Sequence, residues 1–297
     1  MLLNQTNMKP IFCICLLSLA TLVATAQDKP AYRLFDQSGK EVSYGQMLKN
    51  SKKADVVFFG EQHNNPISHW LQIELAQDLE KESNGRLIMG AEMFERDNQS
   101  ILTEYLNGQI NTKSFEEEAR VWDNYATDYK PLVELAKSKK LPFIATNVPR
   151  RYANMVYKQG IESLNPLTSE AKSWIAPLPI EVDMNLPSYQ AMAKMMGGHG
   201  GEAATTNLVK SQAVKDATMG YFIAQNLKKG HVFLHFNGAY HSDLKEGTVW
   251  YVRKYAPGKD MVTISTVEQD NIDKLDEENL KKADFIICVP AKMTKTY

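Results

Sequence analysis

Short apolar, β-prone runs alternate along the chain with amphipathic stretches. The runs fall at residues 55–60, 87–91, 142–146, 231–236, 261–266 and 285–289. They are rich in Val, Ile, Phe and Leu and show no sustained in–out alternation, so they read as strands buried on both faces. After the first run, "PISHWLQIELAQDLEKES" sets Trp70, Ile73, Leu75 and Leu79 at helical spacing, with Pro66 near the start. After the second, "DNQSILTEYLNG" and "YKPLVELAKSKK" read as two more helices. Strands separated by helices predict an α/β fold, a mostly parallel sheet flanked by helices. Ahead of them, "YRLFDQSGKEVSY" predicts a small hairpin turning at Ser38 and Gly39.

Residues 151–227 break this rhythm. They contain no convincing strand, have prolines at 177, 179 and 187, and continue into the methionine-rich "YQAMAKMMGGHGG" and the long helical pattern "TNLVKSQAVKDATMGYFIAQNL". The expectation is a helical lobe inserted before the strand at 231–236. The methionines at 192, 195 and 196 are helix-spaced and read as core.

At the other end, Lys9 precedes an apolar run over 11–23, broken only by Ser18 and Thr21, and Ala24-Thr25-Ala26 follows. This is the pattern of a secretory signal peptide over residues 1–26, leaving a domain over 27–297. No lipobox-like residues precede Cys13 or Cys15, which argues against a lipid anchor. Cleavage would leave Cys288 as the sole cysteine, excluding an intramolecular disulfide or a four-cysteine zinc site. Without Lys9 there are 33 basic against 35 acidic residues, a balance that gives no reason to expect nucleic acid or an anionic membrane as partner.

Polar groups gather where the runs stop. The first enters Glu61 and His63, the second Glu92 and Glu95-Arg96, the third Asn147 and Arg150, and the fourth Asn237 and His241. In a parallel sheet these ends share one edge, the edge at which open α/β sheets bind ligands. Glu61, His63, Glu92 and His241 are therefore candidates for acid–base catalysis or for a divalent metal. Arg96, Asn147, Arg150 and Asn237 are candidates for holding a substrate. The simpler alternatives are a helix cap for Glu92, a turn for His63, and packing for His69 and His235.

The stretches "GEQHNNPISH", "GAEMFERDNQ", "DYKPLVELAKSKKLPFIATNVPR", "SQAVKDATM" and "FNGAYHSD" occur in that order between Val56 and His241. Together they resemble the ChaN-like haem-binding uptake proteins, within a superfamily that includes the TIKI metalloproteases and erythromycin esterase-like enzymes. The resemblance implies an exported protein of haem or iron uptake, a homodimer with haem between its subunits, and an outer-membrane uptake partner. It also implies a tyrosine on the haem iron, and Tyr152, Tyr157 and Tyr189, beside His199, are the lobe's candidates for cofactor binding. The superfamily's enzymes imply an alternative, a metal-dependent hydrolase using Glu61, His63, Glu92 and His241.

Overall fold

The computed structural model describes residues 29–195 and 201–297. The signal-peptide segment and His199 lie outside them. In chain order the elements are β1 (Arg33–Asp36), α1 (Tyr44–Ser51), β2 (Val56–Glu61), α2 (Pro66–Glu82), β3 (Leu87–Glu95), α3 (Gln99–Leu106), α4 (Thr112–Glu118), α5 (Lys130–Lys139) and β4 (Phe143–Asn147). There follow α6 (Arg150–Gln159), α7 (Ser169–Lys172), α8 (Pro187–Met195), α9 (Gly201–Asn226), β5 (Val232–Gly238), α10 (Thr248–Tyr255), β6 (Met261–Gln269) and β7 (Phe285–Pro290).

The strands form one sheet in the order β1-β7-β6-β2-β5-β3-β4, parallel throughout except for β1 against β7. Every residue of β2 and of β5 is buried, because successive side chains enter two different cores. Val57, Phe59, Leu234 and Phe236 pack against α2 and α5. Val56, Phe58 and Phe233 pack against Ile223 of α9 and Val249 and Val252 of α10. Each fully buried Phe contributes roughly 1.5–3 kcal/mol by transfer from water. The apolar runs thus mark central strands covered on both faces, as the α/β reading requires.

Two boundaries differ from the expectation. The N-terminal hairpin closes through a single bridge, Phe35 to Glu41, rather than a second strand. Asp36 accepts from the backbone of Ser38 and Lys40, and Gly39 sits at φ +83°, so the turn is as read. The pairing edge of β1, however, is given to β7. In addition, β3 runs on to Glu95, so Glu92 lies inside the strand rather than after it. Ala91 and Glu95 face Ala145 and Asn147, four residues of β3 against two of β4. This bulge bends the strand end and re-aims its side chains.

The segment expected as a helical lobe contains α6 to α9. α9 packs on β4, α6 and α10, closing one face of the sheet. Gly220 makes that closeness possible, since a Cβ there would stand 2.7 Å from the Tyr251 Cβ of α10.

Candidate functional site

Glu61 is the last residue of β2, and its carboxylate is enclosed by donors from α2 and the turn before α5. Tyr129 donates its hydroxyl at 2.6 Å, His63 approaches through Nδ1 at 2.8 Å, and Gln72 donates at 2.5 Å. His69, read as a packing residue, is a polar brace. Its Nε2 meets the His63 carbonyl at 3.0 Å and Asp128 at 3.3 Å, and its Nδ1 meets Gln72 at 3.1 Å. α2 delivers His69 and Gln72 to this place because Asn65 caps its first turn, accepting from the backbone of Ile67 and Ser68.

The His63 side chain is 39 % exposed, edge-on to Trp122, and its Nε2 has no hydrogen-bond partner among the described residues. Burial alone would lower its pKa. The Glu61 hydrogen bond, with the charges of Glu92 and Glu61, outweighs that and leaves it raised. His63 lies directly over Gly238, where a Cβ would stand 2.8 Å from Nε2 and 3.5 Å from Glu92 Oε2. Glycine at 238 is therefore what lets β2, β3 and β5 bring these groups to one point.

Glu92 and His241 form the second half. Glu92 accepts the Gly238 N–H at 2.8 Å and meets His241 Nε2 at 3.1 Å. His241 Nδ1 meets Asp216 of α9 at 2.6 Å. Asp216 also accepts from Thr248 at 3.0 Å and from Tyr189 at 2.8 Å. Burial by itself would favour a neutral imidazole, but the two carboxylates beside it hold the His241 pKa up to about 10. Burial would likewise raise Glu92, and the charge of His241 overcomes this and holds it far below the usual carboxylate range.

Glu61, His63, Glu92 and His241 thus meet at the carboxyl edge, as two adjoining pairs. As a divalent-metal site they do not fit. Both ring nitrogens of His241 are taken by carboxylates, leaving no lone pair for a metal. Among the described residues no group of three or more His, Cys, Asp or Glu side chains is arranged to hold a metal ion.

Of the four substrate-holding candidates, Asn147 and Asn237 brace the cluster from inside the protein, whereas Arg150 and Arg96 line separate clefts. Asn237 is fully buried and braces His235 and Ser242. His235 is itself held neutral by burial, its pKa pushed down to about 4. Asn147 donates to the Glu92 carbonyl at 3.0 Å from inside the protein. Arg150 lines a cleft of about 670 Å³ with Trp122 and Arg151. Arg96 lines another, of about 430 Å³, against α9. Of the lobe tyrosines, Tyr189 is 2 % exposed with its hydroxyl on Asp216, and Tyr152 is buried beneath the Arg151 guanidinium. Tyr157 is exposed. The sequence reading missed Asp216 and Tyr129, because neither follows the end of an apolar run. It also missed Tyr240, exposed immediately before the buried His241.

The sequence profile of the family described as haem-binding uptake, Tiki superfamily, ChaN matches residues 47–252, and the chain belongs to that family. A solved structure of Campylobacter jejuni ChaN with cofacially bound haem is 18 % identical, with a TM-score of 0.66 over 86 % of this chain and 96 % of its own. The erythromycin esterase EreC is 12 % identical, with a TM-score of 0.48 over 88 % and 98 %. A Bacillus cereus protein is 12 % identical, with a TM-score of 0.46 over 87 % and 95 %. Among curated proteins none matches by sequence.

The His241 charge makes stability depend on pH. Its folded pKa, about 10, lies above the ordinary 6.5, so its contribution is complete below about pH 6.5 and is lost as pH rises toward 10. Urea unfolding from pH 6.5 to 9.5 should show stability falling by up to about 1.4 kcal/mol per pH unit. His241→Asn should flatten that fall while costing about 3–5 kcal/mol at pH 6.5 through two unpaired buried carboxylates. A wild-type profile that stays level over this range would show that His241 is not held protonated.

Proposed function

We propose that this protein binds haem and that Tyr240 supplies the oxygen ligand to the iron. Membership of the haem-binding uptake family supports the first part. The observation that carries the second is the exposure of Tyr240 at a cleft of mixed lining, in which Asp243, Glu268, Glu278 and Lys282 stand beside apolar residues. Tyr240 is 57 % exposed at a cleft of about 440 Å³, lined in part by Pro187, Ala191, Ala239, Leu244 and Val267. Met195 and Leu244, both exposed, flank the phenol, with the Met195 sulfur 3.6 Å from its hydroxyl. Leu244 holds this place at φ +58°, a conformation a branched residue seldom adopts. An accessible phenol beside apolar side chains fits a flat macrocycle, and a tyrosinate is a good axial ligand for ferric haem. Tyr189 and Tyr152 are buried, and Tyr157 lines none of the clefts described above.

Ferric hemin should give a saturable Soret change and a tyrosinate-to-iron absorption band. Tyr240→Phe should remove that band, and Tyr157→Phe should keep it. The opposite pattern would move the ligand to α6. We propose also that haem is shared by two copies of the chain, so the same titration followed by size-exclusion chromatography should show hemin-dependent dimers. A monomer at saturation would remove that part.

Export is proposed from the N-terminal pattern, ahead of delivery from an outer-membrane uptake partner. Intact mass of the protein recovered from the periplasm should correspond to a chain beginning near Gln27. A mass that begins at Met1 or Met8 would refute it.

The Glu61–His63 pair supports a second reading, hydrolysis at the strand edge. Glu61 holds Nδ1 of the imidazole and leaves Nε2 facing the crevice, the arrangement of a general base that takes a proton from attacking water. His63→Ala should then lower any hydrolysis of aryl esters by about 100-fold or more while hemin binding persists. Equal hydrolysis by the variant would dismiss this reading.

A further inference from the structure

The run Glu95-Arg96-Asp97 holds two acids and one cation, and the structure separates them. Arg120 binds Glu95 at 3.0 Å and Asp97 at 2.5 Å, and Arg151 binds the second Asp97 oxygen at 2.6 Å. Arg96 meets only neutral partners, the Gln99 side-chain oxygen at 2.7 Å and the Ala145 carbonyl at 3.4 Å. Its guanidinium lies 4.2 Å from the centre of the Phe222 ring of α9. Burial depresses its pKa, with no carboxylate opposing the shift. A half-buried cation without a counter-ion is costly, and its neighbours have given their carboxylates to other arginines.

Arg96 opens onto the cleft of about 430 Å³ between β3 and the α7–α9 face. Lys172 stands on its rim with Gln225 and Asn226, Tyr221 forms one wall, and no Asp or Glu lines it. Among the described residues neither Arg96 nor Lys172 makes an ion pair. None of Glu61, His63, Glu92, His241 or Tyr240 lines the cleft, so it is separate from both regions considered above.

We propose that this cleft binds a small organic oxyanion, a phosphate monoester or a carboxylate, received by Arg96 and Lys172. The guanidinium fork matches either group, and among the described residues its Nη2 and Nε carry no bond to protein. The Phe222 ring lies against the guanidinium and helps to hold it in place before a ligand arrives. The two amides on the rim offer hydrogen bonds to the rest of a molecule, and the volume lies in the range of small-ligand sites.

Glycerol phosphate and succinate are suitable probes, tested by calorimetry and thermal melting on hemin-free protein, so that the result is independent of the haem reading. At least one should bind saturably at millimolar concentration and raise the melting temperature, and the stronger of the two assigns the class. Arg96→Gln should weaken that binding by about tenfold or more, since it removes the charged fork and keeps a polar group. It should also melt no lower than wild type without probe, because it deletes an uncompensated buried charge. Lys172→Gln, at an exposed position, should weaken binding severalfold and keeps the test intact if Arg96→Gln fails to fold. Absence of binding by both probes, or binding by both variants equal to wild type, would overturn the proposal.

Discussion

His241 keeps two carboxylates inside the protein, and the arrangement of the sheet's carboxyl edge depends on it. Glu92 comes from β3 and Asp216 from α9, and both are almost wholly buried. Neither could remain ionised there without an opposing charge, and one imidazolium between them serves both. The remaining lone pairs are also used, by the Gly238 N–H, Thr248 and Tyr189. Gly247 makes the approach of α10 possible, since at φ +52° a Cβ would stand 2.7 Å from the His241 carbonyl. A strand, two helices and a turn are thereby fixed to one another by charge as well as by packing.

The Glu61 half has the opposite character. Its carboxylate is satisfied by Tyr129 and Gln72 as well as by His63, so the imidazole is held but not enclosed. His63 can gain or lose a proton to the crevice, and His241 cannot without unpairing a buried carboxylate. Two histidines that look alike in the sequence have therefore been given different work by burial: one titrates, and the other is framework.

Much of this was legible in the residues. Runs such as "DVVFFG" declare central strands because both faces must be apolar, and strand ends in a parallel sheet must share an edge. Glu61, His63, Glu92 and His241 follow from that rule alone. The enclosure of His241 between two carboxylates does not, because one of them is Asp216, which reaches the site from a helix with no strand end of its own. The extension of β3 through Glu92 was also hidden, since a four-against-two bulge has no hydrophobic signature. Arg96 and Arg150 share a strand edge in sequence but diverge in space, because side chains there follow the bulge and the start of α6 rather than the strand direction.

Tyr240 shows how the buried network bears on the surface. The short turn Ala239–His241 leaves β5 with Ala239 and His241 buried and Tyr240 exposed between them. The His241 ring is immobilised by two charged hydrogen bonds, so the backbone of the preceding residue has little freedom. The phenol is consequently presented from a turn whose two flanking side chains are buried, although it lies in a connection after a strand. The haem ligand proposed above would be held in this way, with its freedom reduced before the haem arrives. The interior charge and the exposed tyrosine thus form one device, in which burial of residue 241 defines the direction of residue 240.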